Sequence, residues 1–288
     1  MAGTFLLLAT LLLASAQLVI MRIAPRHDHR LPQLWHRAIL FAVGLKVRCV
    51  GTRVGEGPAM LVANHTSYLD IPIIGALGRL AFIAKSEVGD WPGIGFLSTL
   101  QRTIFVERGR RSRTLDQQQA IANRLKGDEV LVLFAEGTSS DGNRVLPFKS
   151  ALLSVAEAAH MPDADVLIQP VSIAYTHRFG LPMQREERPA YAWYGDMDLA
   201  PHLAELLREG PISVTLVFHE PVRRQDFPSR KALTNHCQRA SAQGVAEALA
   251  GRPVTPLRAP ARFGVAPEAA ADVPRELAGG GVQRAAVG

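Results

Sequence analysis

The sequence predicts an α/β domain, a mixed sheet flanked by helices, behind an N-terminal membrane-anchoring helix. Three observations predict it. Short apolar or alternating runs recur between helical segments across the middle of the chain. One of them, Val130 to Ala135, is wholly apolar, as in a strand covered on both faces. Residues 4–21 contain no charge at all.

Those eighteen residues would span roughly 27 Å as a helix, close to the thickness of the hydrocarbon layer. A cleaved signal peptide needs positive charge ahead of the apolar run, and Met1-Ala2-Gly3 brings none beyond the terminus. A core helix needs a polar face, and here only Thr4, Thr10, Ser15 and Gln17 are polar. The run therefore reads as an uncleaved anchor over residues 1–22. Arg22, Arg26 and Arg30 follow at once and place the remaining chain on the cytoplasmic side of the inner membrane. Residues 23–48 read as a basic amphipathic region, with Leu34, Trp35, Ala38, Ile39, Phe41 and Ala42 crowding one side at helical spacing. Such a stripe fits a helix lying on lipid or one packed on the domain. The chain's net charge of +6 is carried by residues 22–53, so the remainder is neutral. A local patch of this kind argues against a general nucleic-acid binder. Cys49 and Cys237 stand alone and fit no disulfide or metal framework.

Residues 49–250 form the expected α/β domain. Strands are predicted at Lys46–Arg53, Ala59–Ala63, Ala81–Ala84, Thr103–Val106, Val130–Ala135, Val166–Ala174 and Ile212–Phe218. Helices are predicted at Tyr68–Leu77, Ser112–Leu125, Lys149–His160 and Ala232–Leu249. Tyr191, Trp193 and Tyr194 read as packing residues along a further strand. Residues 251–288, rich in Ala, Gly, Pro and Arg, read as a disordered tail.

Chemistry-bearing residues gather at strand ends. His65 leaves the Ala59–Ala63 strand, and Asp70 follows five positions later. On one continuous helix the two would lie about 140° apart, so they meet only if the chain turns between them, with Thr66 or Ser67 capping the helix that carries Asp70. An Asp on one imidazole nitrogen leaves the other as a base. The plainer reading is a turn histidine and a first-turn aspartate; a metal pair lacks a third ligand at suitable spacing. The Val130 strand runs into Glu136-Gly137-Thr138-Ser139-Ser140-Asp141-Gly142, a polar loop that either receives an anion or oxyanion or simply turns the chain. Between them, Arg102 to Arg113 holds five arginines. Arg108, at the strand end, fits a phosphate contact, and Arg110, Arg111 and Arg113 fit a solvated face. Trp91, Ile94, Phe96, Leu97 and Leu100 would line an acyl-chain lodging or pack beneath a loop. His160, His177 and His219 have no evident partner. No Ser or Cys stands in a G-x-S-x-G elbow.

Four motifs in order, Asn64-His65 with Asp70, Phe105-Val106-Glu107-Arg108, Glu136-Gly137-Thr138 with the downstream Pro147-Phe148-Lys149-Ser150, and the strand around Pro170, resemble the glycerolipid acyltransferase family of 1-acylglycerol-3-phosphate acyltransferases. The resemblance covers about residues 30–225. It implies a glycerol-3-phosphate acyltransferase-like fold and O-acyl transfer from acyl-CoA or acyl carrier protein to a lysolipid hydroxyl, with no cofactor and no metal. His65 then matches the catalytic base and Asp70 its partner. Phe105, Arg108, Glu136, Gly137, Thr138 and Lys149 match substrate-binding positions, and Pro170 a structural or donor-related motif. Two departures stand out: Ser139 where the family commonly has Arg after Glu-Gly-Thr, and Arg102 where its second motif often opens with Gly. Arg144 or the cluster near Arg108 would replace the missing cation. The expected acceptor is lysophosphatidate, the family's commonest. The segment from Glu136 to Ser150, with Lys85-Ser-Glu-Val-Gly-Asp-Trp-Pro92, also resembles lyso-ornithine lipid acyltransferases, the alternative. A non-catalytic membrane lipid-binding protein is the alternative from another class.

Overall fold

The computed structural model describes residues 2–55, 57–106, 119–125, 129–154 and 166–259. Two helices open the chain, α1 (Ala2–Ile23) and α2 (Arg30–Val43). Then come β1 (Leu45–Val50), β2 (Ala59–Ala63), α3 (Asp70–Gly75), β3 (Ala81–Lys85), α4 (Ser86–Gly89), α5 (Ile94–Leu100), β4 (Ile104–Val106) and β5 (Val130–Phe134). After a helical stretch at 119–125 that precedes β5, the chain continues through β6 (Leu167–Arg178), β7 (Leu181–Pro182), α6 (Leu199–Glu209), β8 (Ile212–Phe218) and α7 (Arg230–Leu249).

The sheet runs β1-β8-β6-β2-β5-β3-β4, with β7 appended to β6. β6, β2, β5, β3 and β4 are mutually parallel. β8 lies antiparallel to β6 and parallel to β1. The central strands are apolar on both sides, and alternation sends successive side chains into two separate cores. Along β2, Ala59, Leu61 and Ala63 enter one core, and Met60 and Val62 the other. Along β5, Val130 and Val132 take the first side, and Leu131 and Leu133 the second. Burying each larger side chain contributes about 1.5–3 kcal/mol, so the two central strands fix the sheet's position. α2, α3 and α6 cover the first face; residues 121–125 and α7, through Leu233 and Cys237, cover the second.

The parallel order brings the ends of β2, β5, β3 and β4 to one edge, and their beginnings to the opposite edge. α1 and α2 form a hairpin beside this domain. Trp35 Nε1 donates to Thr10 Oγ1 at 2.8 Å, and Gln17 Nε2 donates to the carbonyls of Asp28 and Leu100 at 2.6 and 3.0 Å. Most of α1 is uncovered, Leu7, Leu8, Leu11 and Leu12 among them, and Phe41 of α2 and Phe96 of α5 are exposed too. By length and composition α1 can cross a membrane.

Several expectations need correction. β1 begins at Leu45, so the sheet domain starts before residue 49. Tyr191 and Trp193 lie in a turn and a loop, after a 3₁₀ turn at Arg188–Ala190 rather than on a strand. Its short apolar alternation has no neighbouring strand to pair with among the described residues. The chain from 251 to 259 is bonded to the domain instead of being free. Glu220 N donates to Leu257 O at 3.1 Å, and Leu257 N donates to His219 Nδ1 at 2.8 Å. Residues 260–288, His160, the first half of the predicted 112–125 helix and the second half of the predicted 149–160 helix lie outside the described residues.

His219 therefore has partners. Because Nδ1 accepts from Leu257, the proton sits on Nε2, which donates to Ser172 Oγ at 2.8 Å; Ser172 in turn donates to Ser241 O at 2.9 Å. Gly244 leaves the room: a Cβ there would stand 2.3 Å from Ser172 Oγ. Burial pushes His219 down to about 4. The unfolded chain thus takes up the proton first as pH falls, and stability drops between about pH 6.5 and 4 by about 3 kcal/mol from this group. His219→Gln should remove this contribution, so that the fall in stability between about pH 6.5 and 4 is shallower than in the parent in denaturation curves taken against pH.

Candidate active site

The site begins where β2 stops pairing through its main chain. Asn64 takes over with its side chain: Nδ2 donates to Ile173 O at 3.0 Å, and Oδ1 accepts from Ile173 N at 2.8 Å. The backbone is thereby free to turn out of the sheet at His65. The His65 ring then lies flat on Phe134, the last residue of β5, with centroids 4.2 Å apart and planes at 18°.

His65 Nδ1 stands 2.8 Å from Asp70 Oδ2. The turn that brings them together is made by Asp70 itself. Its Oδ2 also accepts the amides of Thr66 and Ser67, at 2.7 and 3.0 Å, and its Oδ1 accepts from Tyr175 Oη at 2.8 Å. The expected cap is thus reversed. Neither Thr66 nor Ser67 caps α3 with its side chain; the carboxylate reaches back and binds their backbone. Asp70 is completely buried, whereas His65 is 19% exposed. Two amides and a phenol already donate to the carboxylate, so the imidazole is a donor as well. Its proton sits on Nδ1, leaving Nε2 with a free lone pair, and Nε2 makes no hydrogen bond among the described residues.

The loop after β5 holds the same histidine from the other side. Glu136 Oε1 accepts His65 N at 3.3 Å, and Ser140 N donates to His65 O at 2.9 Å. Gly137 follows Glu136 with φ of +68°, a conformation that costs a residue with a Cβ. Glu136 is buried, and among the described residues Oε2 has no hydrogen-bond partner. Burial, reinforced by the charge of Asp70, pushes its carboxyl up to about 8 against the pull of the His65 and Leu146 amides. A third segment closes the arrangement. Trp193 N donates to Thr66 O at 2.9 Å, and Ser139 Oγ donates to Trp193 O. Arg188 braces this segment through Nη1 on Asn143 Oδ1 and Nη2 on Met183 O, both at 2.9 Å.

The structure thus brings His65, Asp70 and Glu136 together. Gly137 is buried and Thr138 exposed beside them. Lys149 is exposed, and its amide donates to Ala135 O at 2.8 Å. Phe105 sits on β4, two strands from β5, with its ring against Gly89. Arg108 lies outside the described residues. Arg144 is exposed. Arg102 belongs to the other edge, where it pairs with Asp28 and Glu129 at 2.9 and 3.4 Å. Pro170 lies in β6 beside Val62, where the pairing with β8 has yet to begin. Tyr175, Phe134 and Arg188 escaped sequence reasoning. Their only signal is position: Tyr175 stands on the inner face of a strand whose register against β2 no spacing rule supplies.

The family model described as Acyltransferase matches residues 45–174. A lyso-ornithine lipid O-acyltransferase from Brucella abortus is 45% identical over 88% of this chain and 99% of its own length. This chain belongs to the acyltransferase family. A 1-acyl-sn-glycerol-3-phosphate acyltransferase from Neisseria meningitidis is 32% identical over 55% of this chain and 60% of its own length. The crystal structure of the 1-acyl-sn-glycerophosphate (LPA) acyltransferase PlsC from Thermotoga maritima shares the fold, with a TM-score of 0.58 at 23% identity over 88% of this chain and all of that one.

Two substitutions test the geometry of this acyltransferase. Tyr175→Phe removes a buried hydroxyl bound to a carboxylate and should cost about 1.5–3 kcal/mol of stability, with a fall in kcat of roughly tenfold; stability curves and initial rates check both. For Glu136 the sign runs opposite to that of an exposed acid. The folded chain keeps a proton that the unfolded chain has lost, so stability falls as pH rises from about 4.5 to 8, by up to about 5 kcal/mol. Glu136→Gln cannot ionise and should lose that decline in the same curves.

Proposed function

We propose that this acyltransferase is a lyso-ornithine lipid O-acyltransferase, moving a fatty acyl group from acyl-CoA or acyl carrier protein to the acceptor's hydroxyl, at the cytoplasmic face of the inner membrane with α1 as its anchor. The observation that carries the chemistry is the His65 Nδ1–Asp70 Oδ2 bond at the strand edge, with Nε2 left unbonded. His65 Nε2 takes the hydroxyl proton as the oxygen attacks the thioester carbonyl. Asp70 holds the imidazolium that forms, and a main-chain or cationic group faces the tetrahedral oxyanion. When the carbon–sulfur bond breaks, His65 returns the proton to the leaving thiolate. No acyl-enzyme intermediate is required. Glu136, buried against the His65 amide, acts as a positioning residue rather than touching the acceptor. Thr138, Lys149 and Arg108 remain the acceptor-facing residues of this reading. Trp91 and Phe96, both exposed, offer the acyl chain an apolar lodging.

For the acceptor, the near full-length likeness to the Brucella abortus protein favours lyso-ornithine lipid over lysophosphatidate, reversing the order expected from the family alone. Ser139 supports the same choice. It stands where the family commonly keeps an arginine, and its hydroxyl is tied to the Trp193 carbonyl. An ornithine head group, with its own amine and carboxylate, has less need of that cation than a phosphomonoester. Offering both lysolipids to one preparation and reading product masses decides it: acylated lyso-ornithine lipid should dominate, and dominant phosphatidic acid would refute the choice. In the same assay His65→Ala should lose about 10²–10⁴-fold in rate while remaining folded; transfer at the parental rate would remove His65 from the chemistry.

A further inference from the structure

Two adjoining cavities lie at the edge of the sheet opposite His65. One is apolar and sits between α1, α2 and α5, lined by Leu13, Ala14, Trp35, Leu97 and Leu100. The other is ionic, lined by residues just ahead of β3, β4 and β5 together with the start of α2. Both are walled by Pro32 and Gln101, so the apolar groove and the ionic pocket lie side by side.

The pocket collects buried polar atoms that are poorly satisfied. His36 is 1% exposed, and among the described residues its ring nitrogens make no well-formed hydrogen bond, although the Gln101 side chain stands against the ring. His29 Nδ1 beside it is also unpartnered, and so is Oε1 of Gln17 (2% exposed), which borders the groove. Buried groups of this kind are rarely left unsatisfied without a reason. Among the described residues the charges are unequal too: three guanidiniums, Arg79, Arg102 and Arg124, and two carboxylates, Asp28 and Glu129, line the pocket. Arg102 spans both acids, and Arg124 binds Glu129 at 2.5 Å, which leaves Arg79 in excess. Arg102 holds a φ of +59°, a conformation that costs an arginine about 1 kcal/mol or more. Backbone strain of this sort persists where surrounding contacts demand it.

We propose that these two cavities form a second lipid site, which takes an amphiphile with an anionic head group: its acyl chain lies between α1, α2 and α5, and its head meets Arg79, His29 and His36. The site rests on the reading that α1 lies in the membrane, and it is independent of the choice of acceptor. An apolar groove flanked by an anchor helix and lying beside excess positive charge has the polarity of such a lipid. Occupancy by a membrane lipid would satisfy the stranded imidazoles and fasten the helical hairpin to the catalytic domain.

The test uses the full chain in vesicles containing phosphatidylglycerol with a photoactivatable group in its acyl chain. Labelled residues are mapped by mass spectrometry. Leu8 and Leu12, exposed on α1, report bulk lipid; Leu13 and Leu97 report the groove. Unlabelled phosphatidylglycerol should lower groove labelling about fivefold more than phosphatidylcholine does, the effect of one charge-assisted contact of about 1 kcal/mol. Both lipids should dilute the Leu8 and Leu12 signals equally. Arg79→Gln should abolish the preference, and Ala14→Phe should remove groove labelling while sparing Leu8 and Leu12. Equal competition in the unsubstituted protein, or a preference that survives Arg79→Gln, overturns the second site and leaves the anchor intact. Unlabelled Leu8 and Leu12 would refute the membrane placement of α1, and the site with it.

Discussion

The carboxylate of Asp70 is the constraint on which the rest of the site depends. It is buried without a cation within bonding distance, and instead it collects four donors: an imidazole, a phenol and two backbone amides. Each donor fixes something different. The amides set the turn between β2 and α3, Tyr175 ties that turn to β6, and the imidazole bond sets both the tautomer and the direction of His65. Burial in a medium of low polarity makes each bond more valuable and makes any missing one more costly. The geometry is therefore settled by the fold before any substrate arrives, which suits the role of general base proposed for His65.

Around that node the sheet separates two tasks. The ends of the parallel strands carry His65 and Glu136; their beginnings carry the ionic pocket and its apolar neighbour. The α1–α2 hairpin runs between the two edges: Gln17 and the loop's Asp28 meet Leu100 and Arg102 beside the beginnings, and α2 ends ahead of β1, whose start lies toward the ends because β8 and β1 run antiparallel to β6. α5, which helps to hold the hairpin, also connects the two edges. Its preceding loop presents Trp91 to Trp193 with centroids 5.7 Å apart, and Trp193 is bonded to the His65 turn. α1 and the site are therefore joined through packed rings and a short helix rather than through a flexible linker.

Much of this was legible in the residues. The runs at Ala59–Ala63 and Ile212–Phe218 are strands with those same bounds, because apolar strands flanked by turns leave little choice. The spacing of His65 and Asp70 was legible as a pair needing a turn. How the turn forms was not, because a carboxylate accepting amides behind it leaves the same sequence signature as a hydroxyl capping a helix. α6 was missed although Leu199, Leu203, Leu206 and Leu207 recur at helical spacing, and the two short helices around Trp91 carry too few periods to stand out. Tyr175, Arg188 and the partners of His219 depend on contacts between segments far apart in the chain, and local pattern says nothing of those. Arg102 is instructive in the other direction. The glycine that the family often has there matches the left-handed backbone seen here, so the departure noticed in the sequence has a conformational meaning.

The tautomer of His65 is the most direct test of the account. Histidine-selective ¹⁵N NMR of the full-length enzyme in nanodiscs, with His65 assigned by its loss in His65→Ala, reads which ring nitrogen carries the proton. The account predicts the proton on Nδ1, bonded to Asp70, with an unprotonated Nε2. A neutral ring protonated on Nε2 would contradict it, since the base would then face away from the alcohol it is meant to activate.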